Sequence, residues 1–186
     1  MKDTDVIFAG FGGQGVLLAG KLLAHAAMES GLEVSWLPSY GPEMRGGTAN
    51  VTVCISEHRI GSPLITNPRN LVAMNQPSLD KFADKVRPHG RIFINTSLVK
   101  HEHLPQNCTA VHVDTLDLAR KAGNERSANL VMLGAFVGVE NLIDERIIQR
   151  VFTNTFTGEK ARWLDANMAA LHMGMEIGRH SIVLTH

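Results

Sequence analysis

Apolar residues fall along this chain in short blocks whose period switches between two and about 3.6. Asp5-Val6-Ile7-Phe8-Ala9-Gly10 is a compact apolar run ending on glycine. Over residues 14–30 the apolar positions Val16, Leu17, Leu22, Leu23, Ala26 and Ala27 then repeat at helical spacing. The pattern predicts a strand, a tight glycine turn and a helix. Gly31 stands where a helix-terminating residue belongs, and Glu33-Val34-Ser35-Trp36-Leu37 returns to alternation. Residues 1–37 are therefore expected to form a βαβ unit, parallel and right-handed.

Residues 39–47 hold too much glycine and proline for a helix and are too few for a crossover, so the strand over residues 49–56 is expected to run antiparallel to its predecessor. Further strands are predicted over residues 70–74, 91–95 and 110–114. Helices are predicted over about 77–86, 116–122, 127–139, 144–150 and 158–178. Strand and helix alternate through most of the chain. The expected fold class is α/β: a three-layer α/β/α sandwich around a Rossmann-like mixed, mostly parallel sheet. Without an internal repeat, low-complexity tract or linker, residues 1–186 read as one module.

Composition narrows the function classes. A hydrophobic fraction of 44% and a charged fraction of 19% suit a soluble domain with a substantial core. Lys+Arg and Asp+Glu balance at 18 each, so no net field draws in nucleic acid or an anionic membrane. No apolar run approaches the roughly 18 to 20 residues that cross a bilayer. No signal-peptide pattern precedes the first strand, and a cytoplasmic location is expected. Cys54 and Cys108 lie far apart without a CxxC neighbour, which gives no disulfide framework and no zinc or iron-sulfur site; two buried thiols are expected.

Candidate chemistry starts at Gly10-Phe11-Gly12-Gly13-Gln14-Gly15, a G-x-G-x-x-G motif placed between a strand and a helix. Glycines let the backbone approach a phosphate, and the helix opening supplies free N–H groups and a positive dipole end. A dinucleotide site also needs an acid at the end of the second strand to hold a ribose. Here that strand ends in Leu37-Pro38-Ser39, and Glu33 lies at its start. A phosphate or pantetheine-type ligand stays open beside a role in close helix–sheet packing. The segment Tyr40-Gly41-Pro42-Glu43-Met44-Arg45-Gly46-Gly47 follows the second strand and is expected at the same carboxyl edge, beside the glycine loop.

The pairing of Gly10-Phe-Gly-Gly-Gln-Gly-Val16 with Ser39-Tyr-Gly-Pro-Glu-Met-Arg-Gly-Gly-Thr-Ala-Asn50, followed by Ser127-Ala-Asn-Leu-Val-Met-Leu-Gly-Ala135, resembles the gamma subunit of 2-oxoacid:ferredoxin oxidoreductases over essentially the whole chain. The resemblance implies an assembly that turns a 2-oxoacid, coenzyme A and oxidised ferredoxin into acyl-CoA, carbon dioxide and reduced ferredoxin. It implies alpha, beta and ferredoxin-like delta partner subunits that carry thiamine diphosphate, magnesium and iron-sulfur clusters. This chain would have no catalytic residue or metal ligand of its own and no activity alone. It would help to form the coenzyme A site through Gly12, Gly13, Gln14 and Gly15, with Arg45, Ser127 and Asn129 as further candidates. Its contribution would be proximity, holding the thiol against the thiamine-bound intermediate.

Other signals have plainer readings. His101-Glu102-His103 sits in a polar connector without a third ligand. Lys85, Arg87, His89 and Arg91 form a short basic run, readable as an exposed helix end or as a landing site for acidic ferredoxin. Trp163, Ala166, Ala170 and Met173, with Met168 and Met175, suit a core or a subunit contact. A stand-alone coenzyme A- or nucleotide-binding protein, a nicotinamide-dependent oxidoreductase and a subunit of an indolepyruvate:ferredoxin oxidoreductase are the alternatives. The 2-oxoacid stays open among pyruvate, 2-oxoglutarate and branched-chain acids, with family likeness leaning to 2-oxoglutarate. An isolated chain could pair with itself through the surface meant for its partners.

Overall fold

A computed structural model describes residues 3–40, 48–101 and 103–183. Its elements in chain order are β1 (Thr4–Phe11), α1 (Val16–Glu29), β2 (Glu33–Tyr40), β3 (Thr48–Ser56), β4 (Asn70–Ala73), α2 (Gln76–Phe82), β5 (Arg91–Asn95), β6 (Thr109–Val113), α3 (Thr115–Lys121), α4 (Ala128–Glu140), α5 (Glu145–Thr155) and α6 (Leu164–Val183). Short 3-10 turns cover Ala83–Lys85, Glu125–Ser127 and Gly158–Trp163.

The strands form one mixed sheet in the order β2-β3-β1-β4-β5-β6. β1, β4, β5 and β6 are parallel, and β3 is antiparallel to both of its neighbours. β2 thus shares the direction of β1, as the βαβ reading required, but the two do not pair. β3 lies between them, with Ala49 opposite both Gly10 and Tyr40. The connection after β2 is too short for a crossover, so β3 folds straight back and takes the place beside β1 that a parallel β2 would have filled.

Both faces of the central strands are buried, and their residues alternate between two cores. Val6 and Phe8 of β1, Val72 of β4 and Phe93 of β5 pack with α1 and α3 to α6. Ile7, Ala9, Leu71, Ala73, Ile92 and Ile94 pack on the other face with α2 and the turn that follows it. This is the expected three-layer sandwich, with one helical layer much thicker than the other.

The thick layer is itself double. α4 is buried from Asn129 to Val139, the mark of a helix enclosed on all sides. Toward the sheet, Phe136 meets Phe8 and Phe93 edge to face, with ring centroids 5.9 and 5.7 Å apart. Away from the sheet it packs on α6 through Gly134, Gly138, Gly174 and Gly178. A Cβ at these positions would strike the carbonyl oxygens of Leu171, Met175, Val131 and Ala135 respectively. The contacts advance in the same sense along both helices, so α4 and α6 run parallel with their backbones touching.

Candidate functional site

The chain leaves β1 for α1 on one face of the sheet and leaves β4, its neighbour, for α2 on the other. This reversal opens a crevice at the carboxyl ends of β1 and β4, where open α/β sheets take their ligands. A cleft of about 420 Å3 lies there, lined among others by Gly13, Gln14, Leu98, Leu116, Glu125 and Arg126.

Its first wall is the glycine loop. The Gln14 amide donates to the Phe11 carbonyl at 3.1 Å, which closes the turn. Gly13 (φ 96°) and Gly15 (φ 73°) take backbone conformations that L side chains disfavour. Gly15 then opens α1 with no capping side chain, and the first turn of α1 holds no acid. The opening of α4 lies alongside it. Asn129 Nδ2 donates to the Gly15 carbonyl at 3.0 Å, and Ala128 lines the same cleft. The N-cap of α4 is Ser127, whose hydroxyl donates instead to Asn167 Oδ1 of α6 at 2.6 Å, and the first turn of α4 holds no acid either. By contrast α2, α3 and α5 are each capped by a side chain, from Asn75, Asp114 and Asp144. The 3-10 turn Glu125–Ser127 runs straight into α4 and is itself capped by Asn124, whose Oδ1 accepts from the Arg126 amide at 3.2 Å. The uncapped opening at this cleft is therefore that of α1, whose free N–H groups and positive dipole end suit an anion.

The cleft's floor is a chain of polar groups along the ends of the strands. Gln14 Oε1 accepts from the Phe11 amide and from Asn75 Nδ2, both at 2.7 Å, and Gln14 Nε2 points to the Met74 carbonyl at 3.4 Å. That carbonyl also accepts from Asn95 Nδ2 at 3.0 Å. Asn95 Oδ1 in turn accepts from the Thr115 hydroxyl at 2.7 Å. Beyond it the Ser97 hydroxyl, 2.6 Å from Asp114, and the Asp117 amide hold the Asp114 carboxyl below the usual carboxylate range.

The structure thus brings Gly13 and Gln14 to the cleft, while Gly15 sits behind them against Asn129 and Gly12 is exposed in the turn just before them. Ser127 and Asn129 stand at its rim but turn their polar atoms into the scaffold, being 1% and 5% exposed. Arg45, with Glu43 and Met44, lies outside the described residues; the flanking Thr48 pairs with Phe11 at the start of the loop. Sequence reasoning missed Arg126. Its neighbour Glu125 is taken by Arg120 at 3.0 Å, and among the described residues the Arg126 guanidinium has no carboxylate partner. The only sequence cue was its place beside Ser127.

Other candidates recede. Arg87 pairs with Asp5 at 2.8 Å and Arg91 with Glu140 at 2.6 Å, so half of the basic run is committed internally. The same Asp5–Arg87 pair lines a hollow of about 490 Å3 around the amino end of β1, at the edge away from the glycine loop. Glu102 lies outside the described residues, and no group of three metal-binding side chains gathers among those described. Burial, with Asp5 nearby, pushes the Cys54 thiol up to about 11, and burial raises Cys108 as well, so neither thiol is activated by its surroundings. Among the described residues no helix is long and apolar enough to cross a membrane.

Comparison with known proteins fits this geometry. The model of the pyruvate ferredoxin/flavodoxin oxidoreductase family matches residues 5–177. A ketoisovalerate oxidoreductase subunit, VorA of Methanothermobacter thermautotrophicus, is 44% identical over 182 residues, which cover 97% of this chain and 37% of VorA. The chain therefore spans little more than a third of that relative. Among solved structures, the gamma subunit of a keto/oxoacid ferredoxin oxidoreductase from Geobacter sulfurreducens PCA is 28% identical with a TM-score of 0.80, over 95% of this chain and 99% of the other. A 2-oxoglutarate:ferredoxin oxidoreductase from Magnetococcus marinus, solved with 2-oxoglutarate, coenzyme A and succinyl-CoA bound, is 25% identical with a TM-score of 0.87, over 97% of this chain and 32% of the other.

Proposed function

Because the chain belongs to the pyruvate ferredoxin/flavodoxin oxidoreductase family, we propose that it acts as the gamma subunit of a 2-oxoacid:ferredoxin oxidoreductase and contributes the coenzyme A side of the active site. The observation that carries this reading is the cleft at the sheet's switch point, walled by the glycine loop and the uncapped opening of α1, with Arg126 on its far side. The diphosphate of coenzyme A meets backbone N–H groups of the glycine loop and the opening of α1. Arg126 adds the one free cation among the described residues that line the cleft. Leu98 and Leu116 offer the pantetheine arm an apolar wall.

The remaining chemistry belongs to partner subunits. Two separate thiols, Cys54 buried and Cys108 half-buried, both with raised pKa values, do not fit an iron-sulfur cluster, and no acidic cluster fits the magnesium of thiamine diphosphate among the described residues. Alpha and beta subunits would hold the thiamine, a ferredoxin-like delta subunit the clusters, and ferredoxin would take the two electrons released on decarboxylation. This chain then works by orientation. It fixes the thiol of coenzyme A where the acyl group is handed over, which raises the effective concentration of the acceptor without a proton transfer of its own.

For the 2-oxoacid, 44% identity to a ketoisovalerate oxidoreductase subunit against 31% to a 2-oxoglutarate synthase subunit supports a branched-chain substrate rather than 2-oxoglutarate. The test is reconstitution of the complex with and without this chain. With it, ketoisovalerate should give coenzyme A-dependent reduction of ferredoxin, faster than 2-oxoglutarate does. Without it the dependence on coenzyme A should vanish; a full coenzyme A-dependent rate in its absence would overturn the reading.

A further inference from the structure

The Gln14 side-chain amide is held at both ends, its oxygen by two donors and its nitrogen by one acceptor. Its orientation is fixed by its partners: the Phe11 amide can only donate, so Oε1 must face it, and the Met74 carbonyl can only accept, so Nε2 must face that. Asn75 is fixed in the same way. Its Oδ1 accepts from the Ser78 amide at 2.9 Å as the cap of α2, which turns Nδ2 onto Gln14 Oε1 at 2.7 Å. Asn75 is 3% exposed and Asn95, which shares the Met74 carbonyl, is fully buried, so the anchor belongs to the rigid edge of the sheet. Gly10 leaves the room this needs, since a Cβ there would lie 2.8 Å from Gln14 Oε1.

These bonds cross the switch point. They tie the loop after β1 to the loop after β4, two segments 61 residues apart in sequence that would otherwise move with different faces of the sheet. We propose that Gln14 is a positioning residue: coupled to Asn75, it holds the glycine loop in the shape that receives the phosphates of coenzyme A. The inference rests on the coenzyme A reading above. It changes the expected role of Gln14 from ligand donor to loop anchor, because its side-chain oxygen already accepts from Phe11 and Asn75 and one Nε2 hydrogen is turned to the Met74 carbonyl. A loop of this glycine content has many conformations to lose, so holding it beforehand lowers the cost of binding.

The test uses Gln14→Ala, Asn75→Ser and the double variant in the intact complex. Serine still caps α2 but has no group that reaches Gln14 as the amide does, so Asn75→Ser removes the coupling and spares the helix. Each single variant should raise the KM for coenzyme A up to about tenfold, the loss of one to two hydrogen bonds' worth of order. The double variant should be no worse than the worse single one, because a broken coupling cannot be broken twice. The KM for the 2-oxoacid should stay within about twofold of wild type. A purely structural role would instead lower the thermal midpoint and move both KM values together. If Gln14→Ala does not assemble, Asn75→Ser reads the same coupling alone. An assembled Asn75→Ser complex with an unchanged KM for coenzyme A, or additive effects in the double variant, would overturn the proposal while leaving the coenzyme A reading intact. A wild-type complex indifferent to coenzyme A would overturn both.

Discussion

Replacing Gly174 with valine is expected to cost roughly 3 kcal/mol or more of folding stability, the upper range for forcing extra volume into a packed core. The Cβ at this position meets the Val131 carbonyl oxygen well inside contact, with the Val131 carbonyl carbon at 2.8 Å and the Ala135 nitrogen at 3.0 Å. All three are backbone atoms of α4, so no rotamer change relieves them, and α6 must back away. α4 also carries Phe136, set between Phe8 and Phe93, so a shift that follows the intruding side chain disturbs the sheet-facing core as well. Thermal unfolding should show a midpoint lower by about 6 to 12 °C for a chain of this length. Gly61→Ala is the matched control, because nothing lies within 4 Å of a Cβ there, and it should shift stability by no more than about 0.5 kcal/mol. A Gly174→Val protein melting with the wild type would mean that α4 and α6 are not in backbone contact.

The largest functional effect is expected at Gly13. A Cβ added there meets nothing within 4 Å, so only the positive φ and the nature of the side chain matter. Asparagine and aspartate tolerate positive φ better than other side chains and are nearly the same size, so their comparison isolates charge. Gly13→Asp places a carboxylate among the N–H groups that the coenzyme A phosphates are proposed to use. At a separation of about 5 Å and an effective dielectric constant near 20, one pair of like charges costs about 3 kcal/mol, which is more than a hundredfold in affinity. The KM for coenzyme A should therefore rise about a hundredfold in Gly13→Asp and only a few-fold in Gly13→Asn. Folding stability should be alike in the two, with aspartate gaining up to about 1 kcal/mol from the positive end of α1. Equal KM values would show that no anion binds at this loop.

Much of the fold could be read from local pattern. The run Val6 to Ala9 and its glycine turn announced β1 and α1, and β5 was placed residue for residue at Arg91–Asn95. What local pattern does not encode is which strand pairs with which. The insertion of β3 between β1 and β2 follows from competition for one sheet position, and the alternation of β3 would look the same in either arrangement. α5 runs to Thr155, beyond the predicted end at residue 150, because Val151 and Phe152 continue the buried stripe begun by Ile148. The predicted helix from residue 158 starts instead as a 3-10 turn, with α6 beginning at Leu164.

The candidate site was legible only in its backbone. Gly13 and Gly15 have the left-handed conformations that the motif implied, but the motif could not say that Gln14, Ser127 and Asn129 would be spent on Asn75, Asn167 and Gly15. Those partners lie 40 residues or more away. Arg126 carried no periodic signal and became visible only once Arg120 was seen to hold Glu125. The four-residue spacing of Gly134 with Gly138 and of Gly174 with Gly178 is plain in the sequence, yet each pair gains meaning only from the other.

The central claim, that this chain works as one subunit of a coenzyme A-dependent oxidoreductase, is tested most directly by tagging it in its native host and isolating it without oxygen. Mass spectrometry of what comes with it, and an assay of the eluate with ketoisovalerate, coenzyme A and ferredoxin, form one measurement. A thiamine-binding chain and an iron-sulfur chain in fixed proportion to the tagged one, with ferredoxin reduction that requires coenzyme A, is the predicted result. A chain that comes away alone, or with partners whose ferredoxin reduction is indifferent to coenzyme A, would contradict the account.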